Sequence, residues 1–332
     1  MTAISVEDLR RSYVLGGGRL RGRRRVVEAL QGISFEVGKG ELFGLVGPNG
    51  AGKTTTVRIL STLLLPTAGR ATILGLDVVG DAKRLRHRVG ILLGGERGLY
   101  GRVSGWQNLR YFSNLYGLGG ARSTRRIAEV LELVGLADRA RDRVDTYSRG
   151  MKQRLHIARA LLHEPEVLFL DEPTMGLDPI GAREVRELAL QLRGSGHTIL
   201  LTTHYMPEAD QLCDRLAVID HGRILALESP GALRDRVADL YVVEVELRDG
   251  HGDGVEAVRR LADGALLSVG ERNGHRVLRL QSAHWRELLE QIPTVVGRGE
   301  VGPMVVREPT LEDVYVRLVG EAGRDAMAGE RR

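Results

Sequence analysis

Gly47-Pro48-Asn49-Gly50-Ala51-Gly52-Lys53-Thr54 fits the pattern GxxxxGK[ST], in which each residue type answers to one chemistry. Glycines let the backbone curl around a phosphate and aim its N–H groups inward. The N-terminus of a following helix adds a favourable dipole, the lysine supplies a point charge, and the Ser/Thr hydroxyl can ligate Mg²⁺. The loop sits where that chemistry needs it, after a strand-like run from Glu41 to Val46 and before a helical pattern that begins at Lys53. A glycine turn without a ligand would need neither flank. The chain has only four lysines, Lys39, Lys53, Lys83 and Lys152, among 48 basic residues, so a lysine at this position carries weight.

Outward from this loop, Ile4 to about Glu228 alternates β-rich runs with helical patterns, which predicts a mostly parallel sheet covered by helices. Expected strands are Glu41 to Val46, Val89 to Leu93, Val167 to Leu170, Thr198 to Thr202 and Arg215 to Ile219. The run Val167-Leu168-Phe169-Leu170 lies between Pro165 and Pro173 and has no polar alternation, as expected of a strand buried on both faces. It delivers Asp171 and Glu172 to its C-terminal edge, where ligands bind in open α/β sheets. Adjacent carboxylates there are costly unless a cation or a reacting water uses them. Asp171 is the expected Mg²⁺ partner, with Thr54, and Glu172 the candidate general base for an attacking water. His204 closes a neighbouring strand and can hold that water and Glu172 in register; by itself it could equally be a structural hydrogen-bonding histidine.

At 332 residues, with 42% hydrophobic and 27% charged residues, one large domain plus a smaller one is expected. No segment approaches a membrane span, and the N-terminus, with Glu7 and Asp8, does not read as a secretion signal, so a cytoplasmic location is expected. The single cysteine, Cys213, excludes a disulfide framework or a cysteine-based metal cluster and reads as a small buried residue rather than a reactive thiol. A net charge of +5 spread along the chain is weak evidence for nucleic acid, and an anionic membrane face or an acidic partner loop would serve equally well. Residues 1–230 form the expected main domain. Within it, about 100–163 turns helical, with Ile127, Val130, Leu131 and Val134 in i, i+3, i+4, i+7 spacing. Residues 238–320 read as a small α+β accessory domain, and 321–332 as a disordered tail.

Tyr147-Ser148-Arg149-Gly150-Met151-Lys152-Gln153-Arg154 resembles the signature motif of ATP-binding cassettes of the ABC type, normally LSGGQ, with Tyr for Leu and Arg for the first Gly. The resemblance covers Ile4 to about Glu228. It implies an α/β P-loop NTPase (RecA-like) core with a mixed sheet, an inserted helical subdomain and the small C-terminal α+β accessory domain. It also implies ATP and Mg²⁺ as ligands, hydrolysis of the ATP, Thr55 among the loop contacts, and Ser148 and Gly150 at a second phosphate site. In the family two cassettes face each other and each signature caps the other's nucleotide, which implies a homodimer. Gly176-Leu177-Asp178-Pro179 is similar to the D-loop, with Asp178 facing across the dimer, and Tyr13 matches the aromatic that stacks on adenine. One departure stands out: Gly94 occupies the place of the Q-loop glutamine. Either a bound water replaces that amide or Glu96 reaches in.

Glu308-Pro309-Thr310-Leu311-Glu312-Asp313-Val314-Tyr315-Val316-Arg317-Leu318-Val319-Gly320 resembles the C-terminal stretch of ABC-2 exporter cassettes, including the daunorubicin-resistance type. The same spacing is also that of an amphipathic helix docking on the accessory sheet. The resemblance implies a separate ABC-2-type membrane permease, a peripheral position on the inner face of the cell membrane, and no nucleic-acid partner. The arginine-rich insertion Gly16 to Arg25 reads as a solvated loop, with an anionic-lipid or partner contact as the alternative. Two other functions compete. A cassette ATPase acting on nucleic acid would carry two fused cassettes or long heptad coils, and a nucleotide-binding module without turnover would lack Asp171, Glu172 and His204.

Overall fold

The computed structural model describes the chain apart from residues 16–24, 94–97, 238, 249–251, 263–265, 273, 298–299 and 330–332. The readings of Gly94, of Glu96 and of most of the arginine-rich insertion therefore lie outside the described residues. The chain divides into two compact units, Met1–Ser229 and Pro230–Arg332.

The first unit runs β1 (Thr2–Leu15), β2 (Arg25–Gly38), β3 (Leu42–Val46), α1 (Lys53–Leu60), β4 (Ala68–Ile73), β5 (Leu76–Asp77), α2 (Ala82–Leu85) and β6 (Val89–Leu92). It continues α3 (Gly105–Leu115), α4 (Gly120–Leu133), α5 (Arg149–Leu161), β7 (Val167–Asp171), α6 (Pro179–Gly194), β8 (Thr198–Thr203), α7 (Met206–Leu212), β9 (Arg215–Asp220) and β10 (Arg223–Glu228). A six-stranded sheet has the order β10-β9-β3-β8-β7-β6, parallel from β9 to β6 with β10 antiparallel at one edge. Every residue of β3, β7 and β8 is buried, which is why their centres, such as Val167 to Leu170 and Ile199 to Leu201, are apolar without alternation.

Parallel pairing puts all the C-terminal strand ends on one edge. The register aligns Val46 with Thr203 and Asp171 with Thr202. The loop after β3, the carboxylates after β7 and the histidine after β8 thus converge without any long-range search by flexible segments.

A second sheet, β2-β1-β4-β5, is antiparallel. Its inner face and the large sheet share one core with α1: Ile4, Leu9, Ile33 and Phe35 belong to the same buried cluster as Phe43, Val57, Leu60 and Phe169. The Phe35 and Phe43 rings stack with centroids 5.3 Å apart, worth about 0.5–1.5 kcal/mol beyond their burial. In the helical insertion, α3 opens with a capping box: Ser104 accepts from the Gln107 N–H while the Gln107 amide oxygen accepts from the Ser104 N–H, satisfying two orphan donors. Helix α4 buries Ile127, Val130 and Leu131, the face that the sequence spacing marks.

The second unit contains α8 (Pro230–Asp235), β11 (Tyr241–Leu247), α9 (Gly252–Leu261), β12 (Leu266–Arg272), β13 (His275–Ser282), α10 (Trp285–Val296), β14 (Val301–Arg307) and α11 (Leu311–Gly329). Its antiparallel sheet has the order β12-β13-β11-β14. Val243, Val245, Leu278 and Leu280 pack against Val258 of α9 and Leu288 and Ile292 of α10. These two helices line the sheet's apolar core, while α11 packs against α8. Helix α11 is fixed at its start by Asp313, which takes a bidentate grip from Arg307 at 2.6 and 3.0 Å and caps the Thr310 N–H at 2.8 Å. Helix α11 runs from Leu311 to Gly329. Among the described residues no helix is long and apolar enough to cross a membrane.

Candidate active site

The loop between β3 and α1 is built from backbone that only glycine tolerates. A Cβ on Gly47 would stand 2.0 Å from the Ile219 carbonyl oxygen, and Gly52 has φ +113° with the Ala29 carbonyl oxygen 2.8 Å from its would-be Cβ. Gly47, Ala51 and Gly52 are buried, Pro48 is half-buried, and Asn49 and Gly50 are exposed. Lys53, 3% exposed, sits at the first position of α1 and donates from Nζ to the carbonyl oxygens of Gly47 at 2.8 Å and Pro48 at 3.0 Å. A buried lysine thus points back into the curl of the loop at a helix N-terminus, an arrangement that favours a phosphate. Thr55 follows on α1, half-buried.

The carboxylates divide between two sets of partners. Asp171, 3% exposed, accepts from the Thr54 hydroxyl at 3.0 and 3.2 Å and from the Thr202 hydroxyl at 2.5 Å. Glu172 stands 3.3 Å from Lys53 Nζ through Oε1 and 3.2 Å from His204 Nδ1 through Oε2. Its backbone is left-handed, φ +48°, a strain of order 1–3 kcal/mol for a non-glycine residue that functional sites commonly hold. Two bonds fix it there, from its N–H to the carbonyl oxygen and the hydroxyl of Thr202. His204 is 44% exposed and Glu172 13%, so the pair faces the open edge of the sheet. A carboxylate gripped on both oxygens at a solvent-facing edge is placed to take a proton from a water.

Thr202 is a site residue that the sequence reading passed over. It organises both carboxylates at once, and its signal was a hydroxyl in the otherwise apolar run Ile199-Leu200-Leu201. For Mg²⁺, Thr54 and Asp171 form a hard-oxygen set of one hydroxyl and one carboxylate on facing elements. No group of three or more His, Cys, Asp or Glu that could cage a metal occurs among the described residues. A sparse set of this kind fits Mg²⁺, which takes one or two protein oxygens and completes its shell from phosphates and water.

The signature residues lie at the start of α5. Ser148 is exposed and caps the helix by accepting from the Met151 N–H at 3.2 Å, and Gly150 is buried against Gly181 of α6. Tyr147, in place of the usual leucine, is 4% exposed and donates its hydroxyl to the Arg139 carbonyl oxygen at 2.7 Å. The larger side chain is therefore anchored within the helical insertion. Asp178 is exposed and caps α6 by accepting from the Gly181 N–H at 2.7 Å, with Pro179 at the first helical position. Tyr13 pairs with Val27 across β1 and β2, two residues along β2 from Ala29, whose carbonyl oxygen approaches Gly52. The Arg11 guanidinium lies 4.8 Å from the Tyr13 ring centroid.

Burial sets the other titratable groups nearby. The His156 imidazole, 3% exposed on α5, is pushed down to about 4, first by desolvation and then by Arg159. The Glu208 carboxyl, 1% exposed on α7, is raised by burial against the opposing pull of Thr203, Thr174, Arg186 and His204. Cys213 is buried and its thiol is pushed far up by desolvation, which suits a packing residue.

A family model described as ABC transporter matches residues 30–175. The daunorubicin resistance ATP-binding protein DrrA3 of Streptomyces coeruleorubidus is 41% identical over 97% of this chain and 98% of its own length. The linearmycin resistance ATP-binding protein LnrL of Bacillus subtilis (strain 168) is 33% identical over 97% of this chain and 100% of its own. Among solved structures, cbiO1 of Clostridium perfringens, part of the ABC transporter complex cbiONQ, aligns with a TM-score of 0.62 at 28% identity, covering 70% of this chain and 90% of that one.

Proposed function

The chain belongs to the ABC transporter family of ATP-binding subunits, and from that premise we propose that it drives an exporter whose membrane-spanning part is a separate ABC-2-type permease. The resistance functions in its relatives' names support a cargo that is a hydrophobic small molecule, an antibiotic or a lipid-like compound. The subunit then sits on the inner face of the cell membrane, held by the permease.

The observation that carries the catalytic reading is the position of Glu172 between Lys53 and His204, beside the Thr54–Asp171 pair. The loop from Gly47 to Thr55 holds the β- and γ-phosphates, with Lys53 turning from its loop carbonyls to the phosphate oxygens. Tyr13 stacks on the adenine, an interaction of about 1–3 kcal/mol for base–aromatic stacking. Thr54 and Asp171 would hold Mg²⁺, which when bound neutralises charge on the phosphate oxygens. Glu172 accepts the proton of the attacking water, and His204 keeps the Glu172 carboxylate and that water aligned. Ser148 at the start of α5 and Asp178 at the head of α6, both exposed, serve as surfaces for a second copy, whose nucleotide they cover in a homodimer, with Gly150 behind Ser148 keeping the start of α5 close to α6.

Co-expression with a polytopic membrane protein encoded beside it tests this reading. Tagged chain is purified from membranes with that partner, and its ATPase activity is measured with and without the transported compound. Co-purification and stimulated hydrolysis are expected. Recovery of RNA and no membrane protein would refute it.

A further inference from the structure

Residues 10–12 of β1 are tied to the stretch of chain that leaves α1. The Thr67 N–H donates to the Arg10 carbonyl oxygen at 2.8 Å, the Ser12 N–H to the Thr67 hydroxyl at 3.0 Å, and Arg11 Nη1 to the Leu65 carbonyl oxygen at 2.9 Å. Helix α1 is therefore joined to two places: its first residue, Lys53, belongs to the phosphate loop, and the chain beyond its end holds the strand that carries Tyr13. The partner strand meets the loop as well. Arg11 pairs with Leu30 and Ser12 with Glu28, so Ala29 is left over in β2, and its carbonyl oxygen stands 2.8 Å from where a Cβ on Gly52 would be. A bulge of this kind re-aims backbone where a site needs it.

Side chains two apart on a strand share a face, and Arg11 and Tyr13 are so placed. The Arg11 guanidinium lies over the Tyr13 ring, with its central carbon 4.8 Å from the centroid, within the range of a cation–aromatic contact. Its Nε is buried with no hydrogen-bond partner. A donor that gives up water without finding an oxygen opposes this placement, so the ring and the Leu65 carbonyl together hold the side chain where it is. One guanidinium thus joins the exit of α1 to one face of the ring, and a flat base has the other face. A half-buried tyrosine without this support would lose rotamer freedom on stacking, which subtracts from affinity. With it, the ring is fixed before a nucleotide arrives.

We propose that Arg11 is a positioning residue for the nucleotide base: it backs the Tyr13 ring and sets the ring's place relative to α1, and so to the phosphates. The proposal rests on the reading of Tyr13 as the residue that stacks on adenine. Every purine presents a π-face, so backing the ring strengthens the stack and leaves the choice of base alone. The phosphates bind at the loop and gain nothing from it.

The full-length chain and its variants are titrated with ATP, GTP and inorganic tripolyphosphate, each with Mg²⁺, by isothermal calorimetry. Arg11→Met keeps the apolar stem and removes the cation; Arg11→Gln also keeps a donor for the Leu65 carbonyl, should the first variant fold poorly. Each is expected to weaken ATP and GTP alike, by about two- to five-fold, the size of an exposed cation–aromatic contact, and to bind tripolyphosphate as the wild type does. Tyr13→Ala should weaken ATP by about ten-fold, and adding an Arg11 change to it should cost nothing further. Arg11 variants that match the wild type for ATP, while Tyr13→Ala does not, overturn the proposal. So does an Arg11 loss that persists in the Tyr13→Ala background, one shared by tripolyphosphate, or one confined to ATP, which would make the guanidinium a reader of the base's edge. ATP affinity untouched by Tyr13→Ala refutes the reading of Tyr13 itself, and the proposal falls with it.

Discussion

Acidification unloads a defined amount of stability through His156. Its imidazole is buried, and desolvation, seconded by Arg159, lowers it from the ordinary 6.5 to about 4. In the unfolded chain it binds a proton near 6.5; in the folded chain it resists until about 4. The group's stability is fully present above 6.5 and is lost as the pH falls toward the folded value. The window spans roughly two and a half pH units at about 1.36 kcal/mol per unit, so about 3 kcal/mol disappears across it. Many carboxylates titrate over the same range, so the informative quantity is the difference between wild type and His156→Leu. Urea unfolding of both proteins, monitored at several pH values from 7 to 4, should give a stability gap that moves in favour of the variant by about 1.4 kcal/mol per pH unit. Curves that stay parallel through the window would refute the burial of an unprotonated imidazole.

Other substitutions probe other parts of the structure. Glu208→Gln should raise the melting temperature at neutral pH. Burial raises the Glu208 carboxyl, so its contribution is present below the ordinary value of 4.5 and lost as pH rises through the folded one, and the advantage of the variant should vanish on acidification. Gly47→Ala places a methyl 2.0 Å from the Ile219 carbonyl oxygen; the forced shift should cost about 1–3 kcal/mol and abolish the ATP-induced rise in melting temperature seen by thermal-shift assay. Asp313→Ala removes the cap and the bidentate partner of Arg307, and should cost about 2 kcal/mol or more. Hydrogen exchange in the full chain should report it as faster exchange over 308–318.

The parts of the site that sequence made legible are those in which one residue type answers to one local geometry. Lys53 after a glycine loop, and Asp171 and Glu172 after an unbroken apolar strand, could be found from pattern and spacing, whereas Tyr147 to Arg154 was legible only through its resemblance to the family signature. The antiparallel partner sheet was harder to see. The β1–β2 ladder shifts register between Val6 and Leu9, between Leu9 and Arg10 and between Arg11 and Ser12, and each bulge resets the alternation that marks a strand. The short strands Leu266–Arg272 and Val301–Arg307 escaped for want of a strong apolar alternation. The positive φ of Glu172 and the inward aim of His156 were invisible for a different reason: both are fixed by tertiary contacts, from Thr202 in one case and from the face of α5 in the other.

The central claim is that Glu172, held by Lys53 and His204, makes this subunit a hydrolysing motor. Single-turnover hydrolysis by Glu172→Gln tests it most directly, because the amide keeps the shape of the side chain while losing the base. The account predicts ATP binding close to wild type and a hydrolysis rate lower by about 100-fold or more. A rate within a few-fold of wild type would contradict it.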